Sequence, residues 1–281
     1  MTWTEITRAQ HDRSGLRYAS DVTDEEWAIV GPFVERSTSV GRPAKHTRRT
    51  IWNAVQYMAA SGCQWCLLPK DFPPYSTVQH YFCRWRDRGL IVALNEALTV
   101  ANRLIAGRTE AASAGIIDSK SVKTMESSGP RSYDAGKNVK GHKRHIVTDT
   151  MGNVLNAIVH TADIQDRDGA SDLVEFVKNN VPTLTKIVGD GGYGGDGDGD
   201  GGEKLAAAIE HIDGLVVEIV RRSDTAHGFA VVPKRWTVER TFAWLGRCRR
   251  LAKDWETSIA SSEAWLFLAS VRRVMRAIAR A

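Results

Sequence analysis

Two short apolar runs that each stop on an aspartate, Ala114-Gly-Ile-Ile-Asp118 and Thr185-Lys-Ile-Val-Gly-Asp190, constrain the fold of this chain most. Runs this short suit strands buried on both faces, the last residue of each projecting from the sheet edge. Between them, HKRHIVTD and VLNAIVHTA flank a turn at Gly152-Asn153, which is a hairpin signal. Asp168 to Asn179 and Glu203 to Ile212 have the period of amphipathic helices, and Leu215 to Val220 that of a strand. Strand, hairpin pair, helix, strand and later helix define a mixed α/β domain over residues 111–281. If the two Asp-terminated strands lie side by side, Asp118 and Asp190 emerge at one edge.

The region before it reads as helical. Residues 1–20 show no periodicity and are expected to form a flexible arm. Thr23-Asp-Glu-Glu26 is a capping box opening a helix with Trp27, Val30 and Val34 inward. Gly41-Arg42-Pro43 separates it from a helix over Thr47 to Ser61, and also matches the core of a minor-groove arm in which Arg42 would enter A·T-rich DNA. Ser76 is the expected N-cap of a third helix, with Gln79, His80, Arg84, Arg86 and Arg88 outward and Val78, Tyr81, Phe82 and Trp85 inward. Another helix covers Leu90 to Ile105. Short helices with a basic third one resemble a helix-turn-helix module, placed here at residues 21–110.

The chain's 281 residues, 42% of them hydrophobic, can bury a sizeable core. The absence of a membrane-length apolar run or signal-like start places it in the cytoplasm with no membrane partner. Its four cysteines, including the Cys63-Gln-Trp-Cys66 pair, read as reduced small hydrophobes rather than zinc ligands with Cys83 and His80. The net charge is +5, but residues 230–281 carry eleven Lys or Arg against four acids. Such a basic end suggests a polyanionic partner.

Lys234 to Glu256 reads as one long helix. Val238, Phe242, Trp244, Leu245, Cys248, Leu251 and Trp255 form its apolar arc, and Glu239 falls beside Arg250, flanked by Arg235 and Lys253. Asp118, Asp190 and Glu239 are then three acids in uncharged or cationic surroundings. Converging carboxylates repel and invite divalent cations, and oxygen ligands select magnesium or manganese. Two such ions about 4 Å apart serve in-line phosphoryl displacement. Asp163, Asp166 and Asp168 are better explained as the N-terminal charge of the following helix. His142, His145 and His160 lack metal-ligand spacing and are expected in the core or at phosphates. The Asp196-Gly-Asp198-Gly-Asp200 stretch imitates a calcium loop but has Ala207 where the bidentate Glu belongs, so it is read as a flexible loop.

The stretches IIDSKSVK, KNVKGHKRHIVTD, ADIQDRDGA, GDGGY and RWTVERTFAWLGRCRRLAKDWE resemble the DDE transposases of the IS5 family of bacterial insertion sequences, over about residue 20 to the end. The resemblance implies a ribonuclease-H-like catalytic domain, a mixed sheet flanked by helices, behind an N-terminal all-helical DNA-binding domain. It implies Asp118, Asp190 and Glu239 as the catalytic acids and ligands of two Mg2+ (or Mn2+) ions. Water would attack first, and the freed 3′-hydroxyl would then attack target DNA. The family's Arg four residues before the Glu is Arg235. Gly246 stands where relatives carry a lysine, leaving Arg247 or Arg250 to substitute, and Val232 stands where they carry a tyrosine. Arg240 and Lys253 on this segment, Lys120, Lys123, Lys137, Lys140, Lys143 and Arg144 on the strands, and Arg42 and Arg84 before them are the remaining expected DNA contacts. Expected partners are double-stranded DNA, as terminal inverted repeats and target, and further copies of the chain in a homodimer or larger assembly on DNA; the setting is the bacterial nucleoid. A transposase-derived regulator without catalysis and a metal-dependent nuclease that hydrolyses without joining are the rival readings.

Overall fold

A computed structural model describes residues 4–35, 44–126, 129–193, 204–220 and 235–281. Arg42, Val232, Lys234 and the acids of the Gly-Asp loop lie outside them. Six strands form one sheet: β1 (Ala114–Lys123), β2 (Ser132–Asp134), β3 (Val139–Thr148), β4 (Val154–Thr161), β5 (Lys186–Asp190) and β6 (Val216–Val220). β3 runs antiparallel to β1 on one side and to β4 and the short β2 on the other. β5 is parallel to β1, and β6 to β5. The architecture is therefore mixed α/β.

Nine helices surround the sheet among the described residues: α1 (Glu5–His11), α2 (Asp24–Val34), α3 (Arg48–Ser61), α4 (Tyr75–Asp87), α5 (Leu90–Ile105), α6 (Asp166–Asn180), α7 (Lys204–Ala208), α8 (Arg235–Leu245) and α9 (Ile259–Ile278). Side chains alternate across a strand, so neighbouring residues enter different cores. Ile117, Val147 and Ile187 meet α6 and α7 through Ala170, Leu173, Val174 and Leu205. Ile116, Ile146 and Val188 face the other way, into a core shared with α2 to α5, α8 and α9. In that core Trp265 of α9 stacks on Phe82 of α4 at 4.3 Å between centroids. A single apolar body thus joins the N-terminal helices to the sheet.

Several elements form as their local chemistry dictates. The capping box at Thr23 and Glu26 is made in both directions. Thr47 caps α3, and α5 spans the expected Leu90–Ile105. The hairpin turns where Gly152 takes a φ of 86°, a conformation that glycine adopts without Cβ strain.

Other elements differ from expectation. β1 does not stop at Asp118; it runs on to Lys123 because β3 continues alongside as far as Lys123↔Gly141. Only its pairing with β5 ends early, at Ile116↔Val188. α4 begins at Tyr75 with Pro74 rather than Ser76 at its cap, a position that suits proline's fixed φ. The stretch before Ser20 carries α1, and Arg13 is pinned by a two-pronged ion pair to Glu26. Between Glu203 and Ile212 only Lys204–Ala208 is regular helix. The long helix from Lys234 is cut short at Leu245, and a 3-10 turn follows at Arg249–Leu251. Arg250 leaves the helical path because Glu256 takes its guanidinium and the Cys63 carbonyl accepts from it at 2.7 Å. Glu239 and Arg250 are therefore not neighbours on one helix. The final helix, α9, was not anticipated, although Ala264, Trp265, Leu268, Val271 and Met275 have helical spacing.

The packing of α6 on the hairpin gives a stability test. A Cβ on Gly169 would sit 2.4 Å from His160 Nε2 and 3.1 Å from His145 Nε2. Gly169→Ala should therefore destabilise by about 1 to 3 kcal/mol in urea unfolding, despite alanine's better helix propensity. An unchanged midpoint would contradict this packing.

Candidate active site

Period-two alternation fixes the face on which the two aspartates lie. Asp118 is two residues beyond Ile116 and Asp190 two beyond Val188, and that pair is the last in the β1–β5 register. Both therefore share the face of Ile116 and Val188, the side on which α8 packs. They sit where β5 ends while β1 continues with β3, a crevice at the carboxyl ends of parallel strands.

Arg235 organises the acids. Its Nη2 lies 3.3 Å from Asp190 Oδ2, and its Nε lies 3.0 Å from Glu239 Oε1 one helical turn on. The contact to Glu239 is an ion pair rather than an aligned hydrogen bond, since Nε has no hydrogen-bond partner. Asp190 also accepts from the Gly192 amide at 3.0 Å. Asp118 accepts from the Ser119 amide at 2.7 Å. Burial pushes the Asp118 carboxyl up to about 7; the Ser119 amide opposes this and the charge of Asp190 adds to it. Asp118 is thus the acid least compensated by protein charge.

The donors suit a hard divalent cation. They are carboxylate oxygens with no thiol or imidazole among them, and Asp118 is half-buried beside its like-charged neighbour and without a hydrogen-bonded cation among the described residues. Among the described residues no three acidic, histidine or cysteine side chains are yet arranged as a cage. Arg235 supplies positive charge between Asp190 and Glu239 instead.

A fourth carboxylate adjoins this group. Asp166 lies in the first turn of α6, where capping was expected, yet it spends its oxygens on Lys143 at 2.9 Å and Lys137 at 3.1 Å. Burial raises its pKa, but the close approach of Lys143 and of the Ser119 hydroxyl and both lysine charges outweigh this and hold it at about 2. A Cβ on Gly192 would lie 3.1 Å from Asp190 Oδ1 and 3.9 Å from Asp166 Oδ2, so glycine there leaves both carboxylates room. Tyr193 is fully buried beneath them, and its phenol is pushed well above its usual value by burial, then by Asp118, Asp166 and Asp190. Tyr193 was not singled out from the sequence; its position three residues after Asp190, inside GDGGY, was the available signal.

The expected DNA contacts divide by burial. Lys120, Lys123, Lys137, Lys140, Arg84, Arg247 and Lys253 are exposed. Arg240 is half-buried, its guanidinium 4.5 Å from the Trp244 ring. Lys143, Arg144 and Arg250 are withdrawn from the surface. Lys143 donates to the Ile164 carbonyl and pairs with Asp134 and Asp166. Arg144 donates to the Leu251 carbonyl at 2.8 Å, and Arg250 is held by Glu256 beneath Trp265. His142 pairs with Asp254 at 3.0 Å, and His145 and His160 lie with tilted rings 4.7 Å apart; His142 and His145 are buried and His160 half-buried. Cys66 is exposed, Cys63 and Cys83 are half-buried and Cys248 is buried. No helix among the described residues is long and apolar enough to cross a membrane.

Two strand-borne aspartates and a helix-borne glutamate thus come together beside one face of a mixed sheet. Residues 110–272, more than half of the chain, match the family model described as "Transposase DDE domain", and the chain belongs to that family. Residues 22–95 match a second model, described as "Putative transposase of IS4/5 family". Among curated proteins, the "Putative transposase for insertion sequence element IS402" of Burkholderia cepacia is 29% identical over 130 residues, 44% of this chain and 56% of that protein. "Uncharacterized protein y4sN" of Sinorhizobium fredii is 32% identical over 92 residues, 33% of this chain and 66% of that one. The matches thus span from about half to about two thirds of those relatives. No solved structure matches the chain.

Proposed function

We propose that this chain is a DNA transposase of the IS5 type, which binds insertion-sequence ends, cuts them and joins them to target DNA. The observation that carries the reading is the placement of Asp118 and Asp190 on one sheet face, with Glu239 tied to Asp190 through Arg235. In this reading residues 111–281 form a ribonuclease-H-like catalytic domain, residues 21–110 a helix-turn-helix-like DNA-binding domain and residues 1–20 an N-terminal arm. Asp118, Asp190 and Glu239 would hold two Mg2+ ions, with Mn2+ as a substitute. Bound there, the ions supply activation of the attacking oxygen and charge neutralisation at the leaving oxygen.

The chain's own residues do the rest. Arg235 keeps Asp190 and Glu239 close despite their like charge. Lys120, Lys123, Lys137, Lys140, Arg240 and Lys253 would receive the DNA backbone beside the acids, with Arg84 and Arg42 contributing from the N-terminal region. DNA ends and target would be held by a homodimer or larger assembly in the bacterial nucleoid.

The test is incubation of the protein with labelled duplex from the flanks of its gene, a plasmid target and magnesium. Joined products are expected, and EDTA should abolish them. Nicked but unjoined DNA would indicate a hydrolytic nuclease. A mobility shift without any cut strand would leave a DNA-binding regulator and overturn the catalytic reading.

A further inference from the structure

A second basic feature lies at the other end of α8 from Arg235. A cleft of about 460 Å³ opens between the end of α8 and the last turns of α9, lined by Trp244, Arg247, Arg272, Arg273, Arg276 and Arg280 among others. Among the described residues no carboxylate lines it. The three inner arginines are anchored mostly by neutral groups. Arg272 donates to Gln56 Oε1 at 2.9 Å, and Arg273 to the Gly152 carbonyl and Asn153 Oδ1, each at 2.9 Å. Arg276 donates to the Ala19 carbonyl and stands 3.6 Å from Glu26, a carboxylate already occupied by Arg13. The side chains of Arg247 and Arg280, at the rim, are exposed and make no hydrogen bond or ion pair among the described residues.

Guanidinia gathered this way are preorganised but not neutralised. Burial, then the charges of Arg272 and Arg13, bring Arg276 down to about 9, the direction expected of cations crowded together. The nitrogen forks are fixed by backbone and amide acceptors, so their remaining donors are already oriented before a ligand arrives. The ring of Trp244 has Arg240 at 4.5 Å and Arg273 at 5.0 Å, which leaves it unsuited to stacking on a base. The chemistry of the cleft is phosphate capture without base readout.

We propose that this arginine cleft is a second binding site for the DNA backbone, holding phosphates next to those engaged at the acids. It rests on the reading of the chain as a protein that acts on DNA. From Glu239 to Leu245 the helix rises about 9 Å, equivalent to roughly three base pairs, so one duplex can span both places. The partner is the sugar–phosphate backbone, irrespective of sequence. Heparin and inorganic polyphosphate share its charge and serve as competitors.

The experiment compares the full chain with its Arg247→Ala/Arg280→Ala variant by fluorescence anisotropy on a labelled duplex of unrelated sequence, across a salt series. The side chains of these rim residues make no bond to the other described residues, so the melting temperature should stay unchanged. The variant should bind at least tenfold more weakly, and the slope of log K against log salt should fall by about 2, near 0.9 per phosphate lost. The Arg247→Lys/Arg280→Lys variant should recover most of the slope, since charge sets it. If the wild-type chain cuts and joins DNA but the Ala variant keeps its affinity and slope, the cleft proposal alone is overturned. If wild-type binding depends on the rim yet no strand is ever cut, the cleft stands and the catalytic reading falls. If the wild-type chain does not bind duplex DNA at all, both are overturned.

Discussion

Asp118→Asn should abolish cutting and joining while making the metal-free protein more stable at alkaline pH. The first half follows from charge. A carboxylate that directly holds a divalent ion contributes both affinity and position, and outer-shell partners of such ligands already cost 10- to 100-fold when removed, so a loss exceeding about a hundredfold is expected. The second half follows from sign. Asp118 has its pKa raised to about 7 by burial and by the charge of Asp190, well above its value in an unfolded chain. A raised acid favours the fold while it is protonated, and that contribution is lost as the pH climbs through about 7. Above it the metal-free fold carries a half-buried, poorly compensated charge that asparagine removes, a difference on the order of a few kcal/mol at most. In EDTA at pH 8 the variant should melt above the wild type, and the gap should close towards pH 5. Activity retained by the variant, or by the wild type in EDTA, would refute metal-dependent chemistry at Asp118. Lost activity accompanied by a lower melting temperature at pH 8 would instead indicate a structural defect.

Much of this site was legible because its determinants are local. An apolar run of strand length that ends on an acid reports its own burial and its own face, and two such runs suffice to place Asp118 and Asp190 together. The capping box at Thr23, the cap at Thr47 and the turn at Gly152 are equally short-range. Arg235 was visible from its spacing to Glu239. What the sequence concealed depends on partners far along the chain. The segment after Leu245 retains helical periodicity, but Arg250 is drawn aside by Glu256 and by the carbonyl of Cys63. Lys143 and Arg144 read as a basic strand face, yet their alternation sends them inward to Asp166 and the Leu251 carbonyl. Asp166 has the sequence signature of helix-end charge and becomes a lysine-neutralised neighbour of Asp190 only through the approach of β3 and α6. β1 outruns its apolar stretch because β3, not its own composition, supplies the partner for Ser119 to Lys123.

The same long-range logic makes Asp149→Ala the most destabilising substitution expected. Asp149 is fully buried at the β3–β4 turn, and its Oδ2 receives Arg103 Nη1 from α5 at 2.7 Å. Its Oδ1 accepts from the amides of Met151 and Asn153 at 2.9 Å each, so one side chain both neutralises a guanidinium and closes the turn. Among the described residues the Arg103 side chain is otherwise bonded only to the carbonyls of Thr109, Glu110 and Ala111. Removing the acid leaves a buried cation without a counter-charge, a change that typically costs 3–5 kcal/mol. For a chain of this size that predicts a fall in melting temperature of roughly 10 °C. Asp149→Asn, which can still accept from the turn amides, should lose less. The consequence reaches the acids because the turn is where three helices meet: Asn102 of α5 and Arg273 of α9 bond Asn153 Oδ1, and Thr241 of α8 donates to the Gly152 carbonyl at 3.1 Å. Loosening the turn should shift α8, which carries Glu239, so activity at a temperature where the variant is still folded should fall by more than the folded fraction accounts for. An Asp149→Ala protein that melts within 2 °C of wild type by the same measurement, an interval worth at most about 1 kcal/mol, would show that Arg103 finds solvent or another acceptor and that the turn does not couple α5 to the acids.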